Sequence, residues 1–223
     1  MIELRNVTKY FETNDAKKYI LRDVSLTLPE VNVGILGLNG AGKSTLMRML
    51  GKIEFPNKGT IYSNKSFSWP MGLAGGSVPT MTGRANVKFV CNLYNKSEKE
   101  TQEIISYVKE FSELGDYFEM PIKTYSSGMR GRLGFGLSLA FDFDYLLIDE
   151  TLSTGDASFK NKAKDALKAK IDSCHILLVS HSMPTLKAMC QAGLLLHEGE
   201  LHYYEDIDEG IRRYEEINKK GKQ

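Results

Sequence analysis

The stretch that most narrows the possible folds is Gly37-Leu38-Asn39-Gly40-Ala41-Gly42-Lys43-Ser44-Thr45. Its spacing is G-x-x-x-x-G-K-S, and its flanks inform as much as its residues. Val31 to Leu36 is a largely apolar run suited to a buried strand, and Leu46-Met47-Arg48-Met49-Leu50 suits the first turns of a helix. Strand, glycine loop and helix in that order make a phosphate-binding loop. Glycine reaches positive φ and lets the backbone approach a phosphate with no Cβ in the way. The N–H groups then line an anion nest at a helix N-terminus, where the dipole favours negative charge. Lys43 can reach β- and γ-phosphates as a point charge, and the Ser44 hydroxyl can ligate Mg²⁺. The competing reading is a chance glycine-rich turn before Lys-Ser, and both flanks argue against it.

A chain of 223 residues has room for one large α/β domain, or for a domain with a lobe set into it. Basic residues number 29 and acidic ones 28, so no electrostatic footprint for nucleic acid is present. Cys91, Cys174 and Cys190 lack metal or redox spacing and are expected to be reduced thiols of a cytoplasmic protein. Met1 to Arg5 does not read as a secretory leader, and no apolar run approaches the roughly 20 residues that span a bilayer. A role at a membrane would therefore need another chain to do the spanning.

Period-two alternation predicts half-buried antiparallel strands over residues 2–7 and 20–28, joined by a polar loop from Glu12 to Lys18. Tyr10, Phe11 and Tyr19 flank that loop. Any of them could stack on a base or pack on the strands' own apolar face. Phe55 to Thr60 reads as a turn. Residues 66–79 are loop-like by their glycines and prolines, yet carry Trp69, Met71 and Leu73. They either cover the core or form an apolar docking surface. From Arg84 to Phe118 the pattern is helical, with Val87, Val90, Cys91 and Tyr94 on one face and a capping box at Ser97 and Glu100. Ser126 and Ser127 precede a third helix as N-caps, and the glycines within it suit a helix that something approaches closely.

Tyr145-Leu146-Leu147-Ile148 is the wholly apolar run of a central parallel strand, and it ends in Asp149-Glu150. Carboxylates at that end of a strand sit where open α/β sheets bind ligands. There Asp149 would hold Mg²⁺ and Glu150 would polarise an attacking water. Ser153 to Asp156 is a turn before a helix from about Ser158 to Ile171. Ile176 to Val179 is another buried strand, followed by Ser180-His181, so His181 shares an edge with Lys43 and Glu150. A hairpin turns near Glu198-Gly199, and a last helix starts near Ile207.

The order of phosphate loop, helical lobe, Ser-Ser-Gly, apolar strand with Asp-Glu, then Ser-His resembles the ATP-binding cassette (ABC) ATPases over almost the whole chain. Ser68-Trp69-Pro70-Met71-Gly72-Leu73, Leu93-Tyr94, Thr124 to Met129, Phe141 to Tyr145 and Val179 to Met183 look like the ATPase subunits of capsular polysaccharide exporters. The resemblance implies an α/β fold, a P-loop ABC ATPase core with a mixed sheet and N-terminal antiparallel strands. One domain would span 1–223, with the core at 1–83 and 141–223 and a helical subdomain at 84–140. It implies ATP and Mg²⁺ as cofactors. Gly37 to Thr45 becomes the Walker A loop, and Tyr145 to Asp149 the Walker B strand with Glu150 as catalytic carboxylate. Ser126, Ser127, Gly128 and Met129 become the signature motif. Asp156 belongs to the D-loop, and His181 is the switch histidine. Phe11 aligns best as the adenine-stacking aromatic, with Tyr10 and Tyr19 as alternatives.

It further implies a head-to-tail homodimer that sandwiches ATP, and a membrane permease docked near the 66–83 loop. The assembly would sit at the cytoplasmic face of the inner membrane, with the glycan not touching this chain. Two departures stand out. Val78 takes the place of the glutamine that relatives carry between core and lobe, and valine cannot ligate a metal or orient water. Pro29-Glu30-Val31-Asn32 lacks the usual glycine turn. The first departure leaves a non-hydrolysing or slow ATP-dependent clamp as the alternative function. A nucleic-acid-acting ABC protein would be expected to show tandem cassettes, a long coiled coil or a basic surface. Exporters with a carbohydrate-binding extension are disfavoured by the short stretch after the last helix.

Overall fold

A computed structural model of the chain describes residues 1–14, 16–71, 78–149 and 157–220. The chain divides into two compact units. Met1–Pro70, Phe143–Glu150 and Cys174–Gln223 form one, and Met71–Asp142 and Thr151–Ser173 form the other.

The first unit holds two sheets. Strands β1 (Ile2–Glu12), β2 (Lys17–Leu28) and β4 (Lys58–Ser63) pair antiparallel in the order β2-β1-β4. β1 and β2 run further than their alternation predicts. The buried phase set by Ile2 and Leu4 breaks at Asn6, whose φ is 48°, and resumes on Val7 and Lys9. This bulge adds a residue and resets the phase. Across the ladder, Asn6 Nδ2 donates to Asp23 Oδ1 at 3.2 Å and Asn6 N to Ser25 Oγ at 2.9 Å. Pairing then continues to Phe11 opposite Lys18 and Glu12 opposite Lys17, so both ends of the expected Glu12–Lys18 loop belong to the ladder, and Thr13 N donates to Ala16 O.

The second sheet comprises β3 (Val33–Leu36), β5 (Tyr145–Asp149), β6 (His175–Val179), β7 (Ala192–His197) and β8 (Glu200–Tyr204), in the order β5-β6-β3-β7-β8. Its first four strands are parallel, and buried apolar residues fill them almost end to end, as expected of strands covered on both faces. β8 returns from β7 through Glu198 and Gly199, both at positive φ (50° and 89°), the geometry of a two-residue hairpin turn. Helix α1 (Lys43–Leu50) leaves β3 and buries Leu46, Met47, Met49 and Leu50. Residues 66–68 run beside β5 as an added edge: Tyr145 N donates to Ser66 O, Ser68 N to Tyr145 O, and Leu147 N to Ser68 Oγ at 2.9 Å. Phe67 stacks on Tyr145 and Trp69 meets Phe143 edge-on. Of the two readings of this stretch, residues 66–70 therefore take the core-covering one. Residues 72–77 lie outside the described ones.

The second unit contains α2 (Gly83–Leu93), α3 (Glu98–Ser112), α4 (Ser127–Ala140) and α5 (Ala157–Ile171). Thr82 caps α2, Ser126 caps α4, and the capping box between Ser97 and Glu100 closes on α3 as its sequence predicts. Phe111 is the hub, within ring contact of Phe135 on α4 and Phe159 on α5. Lys162 of α5 donates to Glu110 O and Phe111 O, carbonyls of α3's last turn, and pairs with Glu113 at 2.7 Å. Two short 3₁₀ turns lie between α3 and α4. In the first unit, α6 (Met183–Met189) and α7 (Ile207–Lys220) complete the chain, with α7 against β3 and β7.

Candidate functional site

The phosphate loop joins β3 to α1. Gly37 has φ 152° and Gly42 φ 110°, both in the range that glycine alone takes without strain. Neighbours add a second reason: a Cβ on Gly37 would lie 2.6 Å from Leu196 O, and one on Gly42 would lie 2.3 Å from Ile20 Cγ2. Gly42 is the N-cap residue of α1, and having no side chain it makes no cap hydrogen bond of its own; a helix N-terminus of this kind suits an anion. Lys43 Nζ folds back over the loop, donating to Gly37 O at 2.8 Å and Leu38 O at 3.1 Å. Lys43, Ser44 and Thr45 already belong to the helix. Thr45 is buried, and its Oγ1 accepts from Arg48 Nη2 at 3.1 Å.

Sheet register brings further predicted residues to the same edge. Asp149 pairs with Val179, and Val179 with Ile35, so the ends of β5, β6 and β3 are level. Asp149 closes β5, Ser180-His181 follow β6, and Gly37 follows β3. β6 lies between the other two strands, which puts the Asp149 backbone roughly 10 Å from β3, two strand spacings. Side chains reaching from strand ends at that spacing can meet on one ligand. The donor set is hydroxyl and carboxylate oxygen, which suits a hard octahedral cation that keeps most of its waters. Among the described residues no group of three or more His, Cys, Asp or Glu forms a metal cage of protein ligands alone. Glu150 and Asp156 lie outside the described residues.

In the second unit, Ser126 Oγ accepts from Met129 N at 3.2 Å, so the serine is an N-cap as its sequence suggests. Ser126 and Ser127 are exposed, and among the described residues outside its own helix backbone Gly128 has only Ser126 Oγ within 4 Å of where a Cβ would stand. Within α4, Gly136 has an internal reason, since Phe111 Cδ1 lies 3.0 Å from its Cβ position. Val78 is pinned through its backbone: its N–H donates to Asn86 Oδ1, and its carbonyl accepts from Asn86 Nδ2 at 3.1 Å.

The three aromatics do not share a face. Tyr10 and Tyr19 pair across β1 and β2 with ring centroids 5.5 Å apart. Lys17 stands over the first ring and Arg22 over the second, and Thr8, Asp23 and Lys58 complete a polar pocket there. Phe11 alternates to the other face, where Lys9 Nζ lies 5.0 Å from its ring centroid. A bulge puts the neighbouring Ile20 and Leu21 both into the core, and Ile20 is the residue that meets the phosphate loop at Gly42. Phe11 thus stands on the loop's side of the sheet and 41% exposed, while the two tyrosines are committed to the opposite face.

Parallel sheet, uncapped glycine loop and level carboxylate define a phosphate-loop nucleotide-binding protein. Comparison with known sequences narrows the class. The pattern of the ABC transporter family matches residues 21–153. The chain is 49% identical over 216 residues to the polysialic acid transport ATP-binding protein KpsT of Escherichia coli, covering 96% of both chains. It is 39% identical to the capsule polysaccharide export ATP-binding protein CtrD of Neisseria meningitidis serogroup B, over 97% of this chain and 100% of that one. Among solved structures, the ATP-binding cassette MJ0796 bound to ADP and Pi superposes with a TM-score of 0.77 at 22% identity, over 93% of this chain and 99% of that one. The chain belongs to the ABC transporter family and has the fold of its ATPase cassettes. Among the described residues no helix is long and apolar enough to cross a membrane.

Proposed function

We propose that this chain hydrolyses ATP to drive export of a capsular polysaccharide through a separate membrane permease, from the cytoplasmic face of the inner membrane. The observation that carries the ATPase reading is the level sheet edge, at which β3, β5 and β6 end together beside the glycine loop. The exporter reading is supported by relatives of matching length whose names specify polysialic acid and capsule polysaccharide. Residues Gly37 to Thr45 wrap the phosphates with backbone N–H groups, and Lys43 swings from the loop carbonyls to the γ-phosphate. Ser44 and Asp149 would hold Mg²⁺, which would supply neutralisation of phosphate charge. Glu150 takes the proton of the attacking water, and His181 donates to the γ-phosphate. Phe11 stacks on the base.

The loop offers donors from one side. The other side is supplied by Ser126, Ser127, Gly128 and Met129 of a second copy, whose α4 N-terminus brings a second positive dipole end. Two copies thus pack head to tail around two nucleotides, and Asp156 orders the junction. The helical segment 84–140 and the 66–83 loop pass closure on to the permease, and the glycan does not touch this chain. The test is Glu150→Gln. It is expected to cut turnover by roughly 100-fold or more and to leave an ATP-dependent dimer on size exclusion. Turnover at the wild-type rate would overturn the assignment.

One observation keeps a second reading open. Val78 offers neither oxygen nor nitrogen in its side chain, and its backbone is tied to Asn86. A slow ATP-dependent clamp would follow. Turnover that rises in Val78→Gln supports a slowed motor, and a wild type with no turnover even beside its permease supports the clamp.

A further inference from the structure

Behind the phosphate loop lies a chain of charged groups with no place in the mechanism above. Lys9 sits at a core-facing position of β1 and is only 8% exposed. Its ammonium is 2.8 Å from Glu54 Oε1, 3.0 Å from Phe55 O and 5.0 Å from the Phe11 ring centroid. Glu54 uses its other oxygen on Arg48, whose Nε is 2.9 Å from Oε2. Arg48 Nη2 in turn donates to Thr45 Oγ1 at 3.1 Å. The sequence of contacts runs Phe11, Lys9, Glu54, Arg48, Thr45, entirely within the first unit. A lysine this buried costs free energy unless it is paired, and here one carboxylate divides its two oxygens between two cations. Burial alone would raise the Glu54 carboxyl, but its bonds to Lys9 and Arg48 outweigh that and hold it below the usual carboxylate range.

We propose that Lys9 is a positioning residue for the base end of the nucleotide. Its ammonium, anchored by Glu54, holds the Phe11 ring as a platform. Through the shared carboxylate and Arg48, that platform is tied to Thr45 in the phosphate loop. The two ends of the site are thereby kept in register by one polar strut. This rests on the reading of Phe11 as the base-stacking aromatic. A cation over one face of a ring fixes its orientation and leaves the other face to a base.

The experiment titrates the full chain by calorimetry, in Mg²⁺, with ATP and separately with inorganic tripolyphosphate, which has no base. Lys9→Met is expected to weaken ATP about fivefold, the size of a partly desolvated cation–π contact, and to leave tripolyphosphate unchanged. The loss should vanish when Phe11→Ala is already present. Arg48→Met is expected to weaken both ligands, because it acts at the loop. Equal weakening of both ligands by Lys9→Met would mean that the strut only staples β1 to the α1–β4 connection, and would overturn the proposal. So would an undiminished Lys9→Met effect in the Phe11→Ala background, or tripolyphosphate binding untouched by Arg48→Met. If Lys9→Met does not fold, Lys9→Gln, which keeps a donor for Glu54, makes the same comparison. Phe11→Ala that leaves ATP affinity unchanged removes the stacking reading itself. A weakening Phe11→Ala beside a silent Lys9→Met removes only the strut.

Discussion

Helices α1 and α4 both begin in glycine- and serine-containing stretches, and both are read as phosphate-binding ends, yet they are built differently. At α1 the glycines are obligatory. Gly37 and Gly42 stand at positive φ with Leu196 O and Ile20 where side chains would be, and no side chain caps the helix. At α4 the backbone is ordinary. Ser126 caps it, and both Gly128 and Gly134 have room for a Cβ. At α1 the need for glycine is therefore explained within the chain itself. At α4, nothing among the described residues requires glycine at 128. This contrast agrees with a dimer in which α4 meets another copy's nucleotide.

Substitutions can break the comparison, and their effects are expected to fall in the following order. Gly42→Ala should abolish nucleotide binding and cost roughly 1–3 kcal/mol of stability from backbone strain, measured by calorimetry and thermal melting. Retained binding would mean that the loop does not need its left-handed residue. Gly128→Ala should leave stability in thermal melting unchanged or raised by up to about 1 kcal/mol, and leave binding of ATP to the isolated chain intact, while steady-state hydrolysis collapses. Hydrolysis at the wild-type rate would show that nothing approaches that position. Ser126→Ala should cost about 1 kcal/mol through loss of the cap, and Gly134→Ala, on the same helix, should cost nothing.

The smallest effect concerns the other capped start. The Ser97 hydroxyl and backbone N–H, then Lys96, hold the Glu100 carboxyl down to about 2 from its ordinary 4.5. A depressed folded value means that the box is fully stabilising above about pH 4.5 and is lost as the pH falls toward 2. Glu100→Gln should therefore melt below the wild type at pH 7, and the gap should narrow toward pH 3. A constant gap would show that the carboxylate's charge does not matter.

Much of this was legible because the motifs are local. The phosphate loop, the capping box, the hairpin at Glu198-Gly199 and the apolar run into Asp149 each announce themselves within about ten residues. The parts that escaped depend on register or distance. The Asn6 bulge hid the continuation of β1, because alternation restarts out of phase after it. Strand β4, with no fully buried side chain, carried no strong pattern. Which of Tyr10, Phe11 and Tyr19 faces the loop depends on two bulges that no periodicity reveals. The strut from Lys9 to Thr45 joins residues far apart in the chain. Its one sequence signal was a lysine in phase with buried Val7.

The three cysteines, which lack metal or redox spacing, have a practical consequence. Cys91, Cys174 and Cys190 form no disulfide and are buried, and burial pushes the Cys91 thiol up and that of Cys190 to about 12. Alkylating reagents attack accessible thiolates, so the three buried thiols are expected to react slowly in the folded chain at neutral pH. A single cysteine placed at an exposed site such as Leu93→Cys can then carry a spin label or fluorophore without first deleting any native thiol. The separation between helical lobes of two copies would become measurable, with and without ATP, in an otherwise unaltered chain.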